Sequence, residues 1–173
     1  IKNMQTSFSM KYLGWLSYFL GIEVVYSADT VLLHQKKYAI ELLQRAGLDE
    51  YKSFVNPSNN KYSPQVHDAA LPYSNPTQLK SNVDALQYLT INRHDLQFSM
   101  NQVCQTMHRP TNGDFAALKK ILRYIKGTVH CGVLFRPGDF NLTAYCDSDW
   151  VTDPITRKST TGLCVLLGPN LIF

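Results

Sequence analysis

Two aspartates one residue apart, Asp147 and Asp149 in the stretch AYCDSDW, are the residues of this chain best suited to begin a metal site. Carboxylates are hard oxygen donors, and on a strand of period two both would project to the same face. A pair alone does not complete such a centre, so its use depends on what surrounds it. A second set lies in GDFAALKKILRYIKG, where Lys119, Lys120, Arg123 and Lys126 share one side of a helix. That stripe could grip phosphates, although the solvated face of an ordinary helix has the same composition. Cys104 and His108, four apart, could be combined with His130 and Cys131, but the paired spacing of zinc ligands is absent.

The elements that must position these residues follow from composition and periodicity. A chain of 173 residues with 45% hydrophobic content can bury a core, as one domain or two small ones. Seventeen basic against thirteen acidic side chains give a net charge of +4, which permits polyanion binding without demanding it. The four cysteines lie far apart among apolar residues and read as reduced, buried thiols of an intracellular protein. No apolar run approaches a membrane span, no membrane partner is expected, and IKNMQTSFSM lacks a signal-peptide plan. Ile1 in place of methionine points to a start inside a longer reading frame.

YFLGIEVVY and VLLH, flanking the turn-like SADT, predict a β-hairpin. Tyr38, Ala39, Leu42, Leu43 and Ala46 then share a helical face, with Gly47 as the stop. Residues 53–76, rich in Pro, Ser and Asn, predict a long surface loop. Three amphipathic helices follow: one from Leu79 to about Ile91, a second capped by Asp95 with Leu96, Met100, Val103 and Met107 inward, and a third after Pro110. The third carries the basic stripe opposite Leu118, Ile121, Leu122 and Ile125, and Gly127 is its expected end. Strands are expected at Gly132 to Phe135, Leu142 to Ser148 and Ser159 to Leu167. LIF begins another, so the sheet is expected to be unfinished, with an unpaired apolar edge.

In this order and spacing, MKYLGWLSYFLGIEV, HQKKYAIELLQRAGL, ALQYLTINRHDLQFSMNQVCQTMH, LKKILRYIKGT and AYCDSDWVTDPITRKSTTGLCVLLG resemble the reverse transcriptase and ribonuclease H region of Ty1/copia-type retrotransposon polyproteins. The likeness includes plant copies lodged as orphan fragments in mitochondrial DNA, which leaves nuclear and organellar origin unseparated. It implies an α+β fold in three parts. Residues 1–35 would end the polymerase palm with a primer-grip-like hairpin, and 36–127 would form a thumb-like helical bundle. Residues 128–173 would be a connection and the first strands of a truncated, ribonuclease H-like mixed sheet.

The resemblance also implies roles. Phe19, Leu20, Gly21, Ile22 and Glu23 match the primer grip, and the helical middle matches the part that holds a template-primer duplex by its phosphates. Gly21 fits such a role because a glycine admits close approach of another backbone or a sugar-phosphate. Its alternative is a simple strand kink. Lys119, Lys120, Arg123 and Lys126 would then face nucleic acid, and Arg93 and Arg109 stand open. Asp147 matches the first-strand ligand of a two-Mg²⁺ centre that cleaves the RNA of an RNA/DNA hybrid. Asp149 is read as its neighbour, and Arg157 and Lys158 as contacts to the hybrid backbone or an ordinary exposed basic turn.

The family's paired polymerase aspartates would precede this chain and its other ribonuclease H acids would follow it. Polymerase or nuclease activity, and stable Mg²⁺ binding, are therefore not expected of the chain alone. Its implied partners are a template-primer duplex or RNA/DNA hybrid and the remainder of the polyprotein. Departures from the family pattern are His94 for proline, Asp84 for glycine, Leu79-Lys80 for a Tyr-Arg pair and Val151-Thr152 for Ala-Gly. Asp84 would cost about 1–3 kcal/mol if buried. Two other readings stand beside the polymerase fragment: a non-enzymatic nucleic-acid-binding module, and a retroelement relic without function.

Overall fold

Local signals in the chain build a helical core and two small antiparallel sheets. The structure, a computed structural model, describes residues 14–58, 69–150, 157 and 159–173. Strands β1 (Tyr18–Phe19), β2 (Ile22–Tyr26) and β3 (Val31–His34) precede helices α1 (Lys36–Arg45), α2 (Pro76–Leu89), α3 (Gln97–Gln105, entered through a 3-10 turn at His94–Leu96) and α4 (Asn112–Gly127). Strands β4 (Gly132–Phe135), β5 (Leu142–Ser148), β6 (Thr161–Leu167) and β7 (Asn170–Leu171) follow.

The expected hairpin forms between β2 and β3, with Tyr26 opposite Val31 across SADT. A second, tighter turn was not anticipated. Leu20 (φ 47°) and Gly21 (φ 72°) both adopt left-handed backbone, and Phe19 pairs with Ile22. Positive φ at both central residues is the two-residue hairpin that suits strand twist. Gly21 is therefore a turn residue and not a strand kink. The turn leans on α2: the Tyr88 hydroxyl donates to the Leu20 carbonyl, and a Cβ on Gly21 would stand 3.3 Å from the Tyr88 ring.

Helix α1 ends as its sequence predicts. Gly47 has φ 65°, its N–H donates to the Gln44 carbonyl at 3.0 Å, and Leu48 N–H reaches back to Leu43 at 3.1 Å. This double bond pattern satisfies the last carbonyls, and buried Leu48 seals it. At the other end of α1, Glu23 Oε1 accepts the Lys37 N–H at 3.2 Å, so a strand carboxylate caps the helix. Helix α4 opens with a capping box, Thr111 and Asp114 exchanging bonds.

The apolar stripes meet as expected. Leu79, Val83, Leu86 and Leu89 of α2, Leu96, Met100 and Val103 at α3, and Leu118, Ile121, Leu122 and Ile125 of α4 are buried with Leu42 and Leu43 of α1. Asp84 is exposed, so the desolvation cost of a buried charge does not arise there.

Long-range packing corrects two sequence expectations and qualifies two others. Gly127 is the last residue of α4, as expected, but without the left-handed conformation of a glycine stop; Thr128 is the C-cap, and the missing side chain admits Ser53, whose Cβ would lie 3.1 Å from a Cβ at 127. Asp95 does not cap α3, because its carboxylate is engaged by Arg93 and Tyr124. Cys131 and Cys146 are exposed and not buried, while Cys104 and Cys164 are half-buried; all four are free. The proline-rich loop is pinned where it is described, with Tyr73 N–H donating to Pro110 at 2.9 Å and its ring stacked on Phe115 at 4.3 Å.

The strand after the helices returns to the first sheet. β4 pairs antiparallel with β3, Leu33 opposite Val133 and His34 opposite Gly132, giving the order β1-β2-β3-β4. β5, β6 and β7 form a separate sheet, so every described pairing is antiparallel where a mixed sheet was expected. Asn170 bridges the two sheets, accepting the Arg136 N–H at 2.7 Å and donating to the Arg136 carbonyl at 2.9 Å. β5 is exposed along its whole length.

Candidate functional site

Three groups of sequence-derived residues take definite places. Asp147, on β5 opposite Gly162, and Asp149, just past the strand end, both line one cleft of 580 Å³ with His94, Gln97 and Asn101. Their two-residue spacing does put them on one side. Asp147 Oδ1 accepts the following N–H of Ser148 at 2.9 Å, and Asp149 Oδ1 accepts Thr160 N–H at 2.7 Å. The Asp149 bond ties the end of β5 to the start of β6. Among the described residues no three or more His, Cys, Asp or Glu gather as a possible metal-binding group. The two described carboxylates alone do not complete a two-metal centre.

The hairpin residues Phe19, Leu20 and Gly21 sit at the outer edge of the first sheet. Phe19 and Leu20 are 58% and 66% exposed, so the turn presents an apolar tip. Ile22 and Glu23 lie inward on β2, where Glu23 is occupied with the α1 N-terminus. Arg157 is exposed with φ 58°, a left-handed conformation uncommon for arginine. Lys158 lies outside the described residues.

The basic stripe of α4 has an arrangement that its sequence did not disclose. The segment Asp49 to Phe54 runs along it as a strap. Arg123 Nε donates to the Lys52 carbonyl at 2.7 Å, and Lys126 Nζ donates to the carbonyls of Tyr51, at 2.7 Å, and Asp49. Phe54 N–H donates to the Arg123 carbonyl at 3.1 Å. Lys119 Nζ stands 4.8 Å from the Tyr51 ring centre, while Lys120 Nζ and Arg123 Cζ lie 5.6 and 5.3 Å from that of Phe54. All four cations thus lie on one face of α4 beside carbonyls and aromatic rings.

Arg93, which stood open as a nucleic-acid contact, is a buried strut. Its Nε and Nη2 donate to Asp95 at 2.9 and 2.8 Å, and Nη1 and Nη2 donate to the carbonyl and hydroxyl of Thr128, both at 2.8 Å. Tyr124 donates to Asp95 at 2.9 Å. The end of α2 is thereby locked to the C-cap of α4. A local signal existed, since arginine two residues before aspartate can form a fork-to-carboxylate pair, but its burial depends on the fold.

Burial alone would raise the Asp95 carboxyl, yet the Arg93 guanidinium and the Tyr124 hydroxyl outweigh it and hold it below the usual carboxylate range. Burial alone would lower Arg93; the bond and charge of Asp95 outweigh it and raise the guanidinium above its ordinary value. A carboxyl depressed in the folded state stabilises fully above its unfolded value of about 3.9 and loses that contribution as pH falls through the lower folded value. Urea midpoints should therefore drop below about pH 4 in the natural chain. Asp95→Asn, less stable at neutral pH, should show a flatter acid limb; parallel limbs would contradict the assignment.

The chain is 43% identical over 173 residues to an uncharacterized mitochondrial protein of Arabidopsis thaliana, covering 99% of this chain and 71% of that one. It is 37% identical over 167 residues to the retrovirus-related Pol polyprotein from transposon RE2 of the same plant, and 34% identical over 173 residues to that from transposon RE1. These alignments cover 95% and 99% of this chain but only 11% and 12% of the polyproteins. No family model matches the chain. No solved structure matches it.

Proposed function

Since the chain belongs to the retrovirus-related Pol polyproteins of Ty1/copia-type transposons, we propose that it is the part of such a polyprotein that holds nucleic acid for a reverse transcriptase with ribonuclease H. Its ligand in this reading is a template-primer duplex or RNA/DNA hybrid. The observation that carries the reading is the concentration of Lys119, Lys120, Arg123 and Lys126 on one face of α4, beside exposed aromatic rings. Phosphates are the complementary ligand for such a face.

The exposed Leu20-Gly21 turn is proposed to meet the primer strand, and Arg157 and Lys158 the hybrid backbone. Asp147 is proposed as a single carboxylate of a nuclease centre, which two acids do not complete. Binding, and not bond cleavage, is then the contribution of this chain.

A titration of the chain with a labelled RNA/DNA hybrid at increasing salt tests this. The logarithm of the binding constant should fall linearly with the logarithm of salt concentration, at roughly 0.7–0.9 per phosphate neutralised. No binding at low salt would sink the reading.

A further inference from the structure

The strap and α4 together make a surface that a duplex would not use fully. Four hydrogen bonds to strap backbone groups and one close approach fix the strap: Phe54 N–H to the Arg123 carbonyl, Arg123 to Lys52, Lys126 to Tyr51 and Asp49, and Ser53 over Gly127. Arg123 and Lys126 therefore act as positioning residues for the strap. The strap's two rings are set among the cations and are not folded into the core. Tyr51 remains 45% exposed and Phe54 37%, with Lys119 and Lys120 beside them.

In a duplex the base faces are stacked on one another and only phosphates and sugars are offered, so rings at this position would find no partner. A single strand offers both a phosphate track and free base faces, and aromatic rings interleaved with cations match that pair of chemistries. We propose that the strap and α4 form a single-stranded nucleic-acid platform, in which Tyr51 and Phe54 stack on bases while Lys119 and Lys120 meet the flanking phosphates. This rests on the reading that the α4 face meets nucleic acid, and it adds which form of nucleic acid the rings select.

The test compares fluorescence anisotropy of a labelled oligothymidylate and of an RNA/DNA hybrid of equal length, in the same buffer. Tyr51→Leu/Phe54→Leu should weaken oligothymidylate binding at least about tenfold, since both stacking rings are lost, and leave hybrid affinity within about threefold. Tyr51→Phe/Phe54→Tyr, which keeps both rings, should retain single-strand affinity, and melting curves of both variants show whether the strap holds. Unchanged oligothymidylate binding in the leucine variant, or equal losses for both ligands, would overturn the platform. If the natural chain binds the hybrid but not the oligothymidylate, the platform fails while the α4 reading stands. If it binds neither, both fail.

Discussion

Gly132→Ala should destabilise the chain by about 3 kcal/mol or more, among the larger effects a single added methyl group can have. A Cβ at this position would lie 2.0 Å from the Leu33 carbonyl oxygen and 2.9 Å from the His34 Cβ. The first of these atoms is backbone in the neighbouring strand, so no side-chain rotation relieves the clash. Relief requires β4 to move off β3, which breaks the pairing that returns the chain from α4 to the first sheet. Gly162→Ala is the control, because its Cβ would meet nothing nearer than the Asp147 carbonyl at 3.9 Å. Urea unfolding should place that variant within about 0.5 kcal/mol of the natural chain. Equal midpoints for the two variants would contradict the close β3–β4 approach.

Arg93→Met should cost about 3 kcal/mol. Breaking one side of a buried ion pair usually costs about 3–5 kcal/mol, since the remaining charge is left without compensation. The Asp95 side chain is 41% exposed, so water re-solvates it in part and the low end of that range applies. The substitution also removes the donors to the Thr128 carbonyl and hydroxyl, which join α2 to the end of α4. Arg93→Met/Asp95→Asn should recover part of the loss, because no unpaired carboxylate remains. A double variant as unstable as the sum of the two singles would show that the pair is not coupled.

The parts that were legible in the sequence are those set by local periodicity and local chemistry. The stripe Leu118, Ile121, Leu122 and Ile125 is buried as its spacing predicts, and Gly47 ends α1 through its positive φ. The two-residue spacing of Asp147 and Asp149 likewise places both on one cleft. What was not legible depends on contacts between residues far apart in the chain. Leucine is no signal for left-handed backbone, so the Leu20-Gly21 turn shows only once Tyr88 binds the Leu20 carbonyl.

β4 pairs with a strand about a hundred residues earlier, and nothing in GVLF names that partner. The basic stripe itself was plain, but the strap that holds it was hidden. Lys52 and Arg123 are 71 residues apart, with the Pro-, Ser- and Asn-rich loop and helices α2 and α3 between them. Gly127 ends α4 where the sequence predicts, but the Ser53 side chain that packs over it lies far upstream.

Nucleic-acid binding through α4 is tested most directly by comparing the natural chain with Lys119→Glu/Lys120→Glu in a hybrid titration at low salt. Both side chains project from α4 beside the rings of Tyr51 and Phe54, outside the buried stripe, so the variant's melting temperature should stay close to that of the natural chain. Reversing two charges should lower affinity for the RNA/DNA hybrid at least about tenfold and reduce the salt slope by roughly two. A folded variant that binds the hybrid as tightly as the natural chain, with the same slope, would contradict the account.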